Sequence, residues 1–372
     1  MAAYTTVDDP TIYVGTTLYT GNQSTVTLTM DDIGWLWMKR RGSDIRNVLF
    51  DNVRGGHYTG SGYKPVLVSD ADSASQGTDI DSAAKGVTFA SAQTVIGNDQ
   101  HGYSYNRSGH SMVAWHWATG TSFSNDASAT SVGSIDSAGT VNTTAGFSII
   151  GYTGAGDGTS SSAQTIAHGL GVAPSMIIVK NLADSTNWFT YHHRNTSAPA
   201  TDVLYLNLTN ATGDDNGPWN DTAPTSSVFT VGGDNGTNGN GDSMIAYCFA
   251  EKQGYSKFGT YIGNGNVDGT FIYLGFKPAW FMIKSSSNAE QWEIVDNVRD
   301  PFNPVNQVLV ANSDAEETTG GTGNRIYCDF LSNGVKLRGN ASQANGSGLT
   351  FVYMAFAEMP FVNSNGVPGT AR

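Results

Sequence analysis

Charge is scarce in this chain. Only 14% of its 372 residues are Asp, Glu, Lys or Arg, and 19 cations against 32 anions leave a net charge of −13. The one basic run is Lys39-Arg40-Arg41 at a strand end, so a nucleic-acid groove, which must neutralise phosphates with clustered Lys and Arg, is excluded. The acidic balance is read as solubility and self-repulsion. Cysteine is scarcer still. Cys248 and Cys328 are the only two, and they read as buried free thiols of a protein made in a reducing cytoplasm. No apolar run exceeds roughly seven residues, far short of a spanning helix of about 20 residues, so no membrane insertion is expected. The amino terminus, Met1 to Thr6, shows neither a basic region nor an apolar one, so no secretory signal is expected. Glu, Lys and Gln are sparse, and no long segment has the three-four spacing of an amphipathic helix. There is no Gly-x-Ser-x-Gly nucleophile elbow and no Walker motif.

What is abundant is glycine, at 45 residues, and aromatic side chains, at 11%. Ser, Thr, Asn and Asp are dense between short apolar runs. Strands separated by turn clusters over about 100 residues suit an all-β fold of sandwich or jelly-roll type.

One series of markers occurs three times. It opens with Tyr19-Thr20-Gly21, Tyr152-Thr153-Gly154 and Tyr261-Ile262-Gly263. An apolar strand ending in lysine follows, at Trp35 to Lys39, Met176 to Lys180 and Trp280 to Lys284, and then an arginine, Arg54, Arg194 or Arg299. Short apolar runs with polar turns come next, at 67–71, 206–211 and 310–315, and then strands at 86–89, 227–230 and 334–337. The series closes on 112–118, 244–250 and 351–357. On these closing strands Trp115/Trp117, Tyr247/Phe249 and Met354/Phe356 share one face and are expected to fill a core, while the opposite face, with His116, Cys248 and Ala355, is mostly small. An internal repeat constrains fold and function together. The expected organisation is a lead-in over 1–17, β-sandwich repeats over 18–118, 151–251 and 260–358, a Ser/Thr/Gly-rich linker or arm over 119–150, a short linker over 252–259 and a tail over 359–372. The short second junction predicts that repeats two and three are held more rigidly to each other than to repeat one.

No constellation commits the chain to chemistry. The seven histidines stand at 57, 101, 110, 116, 168, 192 and 193. His192-His193 is the only adjacent pair, aligned with Asn52-Val53 and Asn297-Val298, and has no further ligands for a metal. Gly154 to Gly158 and Gly263 to Gly265 lack a helix to face a phosphate and read as turns. The acidic neighbours Asp31-Asp32, Asp214-Asp215 and Glu316-Glu317 read as solvated, or as pointing to opposite strand faces. Lys39 with Asp51 and Lys284 with Asp296, with Tyr191 taken as the second repeat's counterpart, read as salt bridges supporting a hairpin. The loop Gly232 to Asp242 offers hard oxygen donors of the kind Ca²⁺ prefers, but misses the EF-hand spacing, so a plain inter-strand loop is favoured. The expectation is no catalytic residues, no metal and no cofactor.

His168 to Pro174 followed by Met176 to Lys180, together with Asp221 to Phe229, Ala246 to Glu251, Ser256 to Gly259 and the ending Gly366 to Arg372, resembles a repeat in uncharacterised structural proteins of marine bacteriophages, including cyanophages. Repeat one departs from that pattern: no proline follows Gly34, and Thr119 stands where the others have Glu251 and Glu358. The resemblance implies a non-enzymatic virion component of tail-fibre-like character, assembled in the host cytoplasm. The first reading is a tail fibre, spike or similar appendage that meets a host-surface glycan, partnered by other virion proteins and by further copies of itself, a trimer among the arrangements. Trp219 and Tyr103, in Gly/Asn loops, either stack on sugar or pack within their own repeats. The alternative is a capsid or tail decoration protein with no receptor, and a further one is a glycan depolymerase.

Overall fold

The computed structural model describes residues 4–60, 64–99, 103–159 and 162–369. His101 and the last three residues of the tail, Thr370 to Arg372, lie outside them. The fold is all-β, with 41% of residues in strands and 6% in helix, and among the described residues the four α-helical pieces are single turns of four residues.

Three large antiparallel sheets share one strand order. The order starts with the opening strand (Val14–Thr20, Phe147–Thr153, Ser256–Ile262), which lies at the sheet edge in units one and three and has two further strands beyond it in unit two. It pairs with the closing strand (Ser111–Ala118, Ser243–Phe249, Thr350–Pro360), which pairs with the lysine strand (Ile33–Arg40, Met176–Asn181, Phe276–Ser285). A fourth strand (Val48–Asp51, Phe189–His192, Glu293–Asp296) and a fifth (Leu67–Val68, Asp202–Tyr205, Gln307–Val310) complete the order. Each large sheet faces a small one: Val26–Leu28, Gln93–Ile96 and Val87–Ala90 in unit one, Gln164–Ala167 and Val228–Val231 in unit two, and Phe271–Tyr273, Gly334–Leu337 and Cys328–Leu331 in unit three.

The opening markers have a mechanical cause. The hydroxyls of Tyr19, Tyr152 and Tyr261 donate to the carbonyls of Tyr105, Thr237 and Ala344. The next residue in each case is a buried asparagine, Asn106, Asn238 or Asn345. Its Oδ1 takes the backbone N–H of Asn22, Ala155 or Asn264, and its Nδ2 donates to the carbonyl of Gly97, Gly232 or Gly339. The glycine two places after each tyrosine makes room for this staple. A Cβ on Gly21, Gly154 or Gly263 would sit 2.2, 2.2 or 2.3 Å from the carbonyl oxygen of Arg107, Gly239 or Gly346.

Alternation along the strands divides the side chains between two kinds of core. Leu36, Met38 and Ala114 face the small sheet of unit one; Ile177, Val179, Ala246 and Cys248 do so in unit two; and Phe281, Ile283, Tyr353 and Ala355 in unit three. The opposite faces all meet in one place. Trp35, Trp37, Trp115 and Trp117 pack there with Phe147, Met176, Tyr247 and Phe249, and with Trp280, Met282, Met354 and Phe356. All eight tryptophans are buried, and seven of them line this common core.

The common core changes the organisation expected of linked, separately cored modules. Units two and three are not set apart from unit one, because the aromatic faces of all three cover one another. The stretch 119–150 is not a free linker either. Thr121–Asn125 and Ser137–Asn142 form a hairpin that pairs with Phe147–Thr153 and extends the sheet of unit two. Its small polar residues are compatible with an edge that carries water on one side.

Candidate functional site

The residues with most chemistry sit where the units meet, and they close a ring. In unit one Asn47 precedes the fourth strand and donates from Nδ2 to the Val310 carbonyl of unit three (3.0 Å). Trp292 holds the same place in unit three and donates from Nε1 to Tyr205 O of unit two (2.9 Å), and Trp188 of unit two donates to Val68 O of unit one (2.9 Å). All three acceptors end a fifth strand.

Two of the strand-end lysines, Lys39 and Lys284, also reach across joints, while Lys180 bonds within its own unit. Lys39 reaches the carbonyls of Ile45 and Asp314, Lys180 those of Asn181 and Asp184, and Lys284 those of Thr209 and Ser285. Burial lowers all three ammonium groups from 10.5 to about 8. The basic run is therefore no open patch: Lys39 is buried and Arg41 pairs with Glu317 at 2.6 Å. Lys39 does not bridge to Asp51, nor Lys284 to Asp296, as the sequence suggested; each lysine is turned to the carbonyls at the sheet end.

Asp51 and Asp296 bond their own arginines instead, Arg54 and Arg299, both at 2.5 Å. Each also accepts a bond from the next unit, Asp51 from the Tyr247 hydroxyl (2.7 Å) and Asp296 from Trp115 Nε1 (2.9 Å). The equivalent slot in unit two is His192, not Tyr191, because Met176 faces His192 just as Trp35 faces Asp51 and Trp280 faces Asp296. The position on the unit-three closing strand equivalent to Tyr247 and Trp115 is Met354, whose side chain has no donor. His192 accordingly supplies the donor, from Nε2 to the Tyr353 carbonyl (3.2 Å), while Nδ1 accepts from the Arg194 amide. Burial lowers its pKa to about 3, which keeps the ring neutral. His193 donates to Phe258 O (2.7 Å). Among the described residues no group of three His, Cys, Asp or Glu could hold a metal ion.

Glu293, fully buried on the unit-three face, is raised to about 7 by burial, against the opposing pull of Arg325 at 3.2 Å. Its folded value lies above its unfolded one, so the folded chain holds a proton that the unfolded chain releases as pH rises from about 4.5 towards 7. Its favourable contribution is complete below the lower value and lost above the higher one. Glu293→Gln keeps an oxygen for the Ile326 amide and is expected to stabilise the chain at pH 8 by up to about 3 kcal/mol, with little gain at pH 5. Denaturant unfolding at the two pH values checks this.

The remaining candidates are structural. In the loop Gly232 to Asp242, Asp234 caps the helical turn Asn235–Asn238 and Asp242 accepts from Asn181 Nδ2 (2.8 Å). Trp219 is buried and packs edge-on against Tyr191, so it offers no face to a sugar. Tyr103 is half-buried and donates to Gln76 Oε1. Cys248 and Cys328 are buried free thiols whose pKa values burial pushes up.

One joint stays open. Between the turn after the fourth strand of unit one and the hairpin-extended sheet of unit two lies a cleft of about 400 Å³, walled by Val53, Leu182 and Ile245 and carrying the polar groups of Arg54, Asn125 and Asp136. Sequence reasoning missed it because its walls come from six separate segments of the chain. Fold and site together define an all-β body whose three large sheets close about a common core, with a polar cleft at one joint. The chain belongs to the family described as Domain of unknown function (DUF7483), whose model matches residues 9–360. No curated protein matches it, and no solved structure does. No helix of the described residues is long and apolar enough to cross a membrane.

Proposed function

We propose that the protein is a non-enzymatic structural component of a virion, a tail fibre, spike or similar appendage that contacts a glycan of the host surface. The observation that carries the glycan part is the cleft between units one and two. It sets hydroxyl, amide, carboxylate and guanidinium groups against the apolar walls of Val53, Leu182 and Ile245, the mixture that a polyol with one apolar face requires. The virion part rests on the quoted motifs of units two and three. Immunogold labelling of particles tests the location. Label on a tail appendage is expected, and label on the capsid shell would replace the appendage by a decoration protein.

That second reading has its own observation. Among the described residues the opening strand of unit three ends its sheet with no strand beyond it, and close by in sequence Ile262, Phe271 and Tyr273 are 64%, 43% and 51% exposed. An open strand edge with exposed apolar side chains suits contact with another virion protein or another copy of this chain.

A further inference from the structure

The three units treat one sheet edge in three ways. In antiparallel pairing alternate residues of the opening strand spend their backbone groups on the closing strand. Tyr13 O and Gly21 N–H do so in unit one, and the groups of Val14, Thr16 and Leu18 therefore point outwards. In unit two the same positions, Phe147, Ile149 and Gly151, face Asn142, Thr140 and Ala138 of the hairpin. In unit three they are met from the side: Phe258 N–H by Glu251 Oε2 (3.3 Å), Phe258 O by His193 Nε2 (2.7 Å) and Ser256 N–H by Lys252 O (2.9 Å). In unit one none of the described residues bonds to them. Val14–Thr20 carries no charge, no proline and no bulge, so nothing in it keeps a further strand away.

The hairpin shows what fits. Its strand runs antiparallel to the edge and reads Ala138-Gly139-Thr140-Val141, and the opening strand of unit one itself reads Val14-Gly15-Thr16-Thr17. We propose that a second copy of this chain supplies the missing strand, the two opening strands of unit one pairing antiparallel about a twofold axis at Thr16. In that register the partner's Gly15, the partner's Thr16 and the partner's Thr17 take on unit one the places that Gly139, Thr140 and Val141 hold on unit two. Gly139 lies so close to the edge that a Cβ on it would be 1.8 Å from Ile149 O, and the second copy brings a glycine to that place. Thr140 Oγ1 donates to Asn52 Oδ1 at 3.2 Å. Asn297 follows Asp296 as Asn52 follows Asp51, and its Oδ1 accepts no bond among the described residues, so it is left for the partner's Thr16. Val141 packs against the unit-two core that holds Cys248, whereas beside Thr17 and His116 a groove of about 320 Å³ stays open in unit one, and the partner's Thr17 lies over it. Leu18, 37% exposed, comes opposite the partner's Val14. Both strands are uncharged, so no like charges meet at the axis. Two five-stranded sheets become one of ten strands.

The pairing serves an appendage and a decoration protein alike. Sedimentation equilibrium on the full chain, at about 0.15 M and about 0.5 M salt, tests it. A reversible dimer is expected, with a dissociation constant of about 1–100 μM for so short a contact. It tightens in the higher salt, because each copy carries a net charge of −13. Thr16→Pro removes the N–H at the axis and none that the strand spends in its own sheet, so it is expected to weaken the dimer about tenfold or more in a chain that unfolds as wild type does. Crosslinking locates the contact independently. Cys248 and Cys328 are buried, and Thr16→Cys brings two thiols face to face across the axis, so under mild oxidation it is expected to join two copies about tenfold faster than Ile262→Cys at the unit-three edge. A monomer at about 100 μM in both salts, a trimer, a dimer that Thr16→Pro leaves intact, or crosslinking as fast through Ile262→Cys overturns the pairing.

Discussion

Trp35→Ala is expected to cost about 3–5 kcal/mol and to lower one unfolding transition of the entire chain. The Trp35 ring lies 4.6 Å from Trp117 of its own unit, and 4.9, 5.8 and 5.9 Å from Tyr247, Phe249 and Phe147 of unit two. Its Nε1 has no hydrogen-bond acceptor among the described residues, so what the substitution removes is packing. The hole would open in the interior that units one, two and three cover together. Scanning calorimetry gives the reading. One endotherm shifted as a whole is expected; a shift confined to a third of the enthalpy, with the rest unmoved, would mean that the units melt separately.

Asp296→Ala should be as damaging, by about 3–5 kcal/mol, because removing one member of a buried ion pair strands the other. Asp296 and Arg299 have fully buried side chains, and the same carboxylate takes Trp115 Nε1 from unit one and the amides of Val298 and Arg299. Asp296→Asn keeps one oxygen, which serves either the two amides or Trp115 Nε1 but not both, while Glu317 still neutralises Arg299, so it should cost less than the alanine. A double-mutant cycle with Trp115→Phe separates the contribution across the joint. Trp115→Phe is expected to cost less in the Asp296→Ala background than alone. Additive losses would show that the indole N–H bond carries nothing.

Much of the fold was legible because it rests on local period and turn chemistry. The pairs Trp115/Trp117, Tyr247/Phe249 and Met354/Phe356 do share a face and do fill a core. What the alternation cannot tell is what covers that face, since a strand buried by its own small sheet and one buried by another unit read alike. The joints were partly visible. The spacing from Lys39 to Asp51 and from Lys284 to Asp296, applied to Lys180, reaches His192, and alignment one residue early hid that match. Carried three residues further, the same count reaches Arg54, Asn195 and Arg299, and moves the marker off Arg194, which is exposed. The asparagine staples were harder to find, because Asn106, Asn238 and Asn345 lie in loops already crowded with Asn and Gly.

The ring of joints also restricts how such a chain can change over generations. Asn47 with Val310, Trp188 with Val68 and Trp292 with Tyr205 fill one role with unlike donors of unlike size, and Asp51, His192 and Asp296 are matched just as individually to Tyr247, Tyr353 and Trp115. A segment shuffled in at a module boundary would bring an ill-fitting donor on one flank and an ill-fitting acceptor on the other. Inheritable blocks in this lineage should therefore straddle the boundaries, each keeping a donor together with the neighbour it serves.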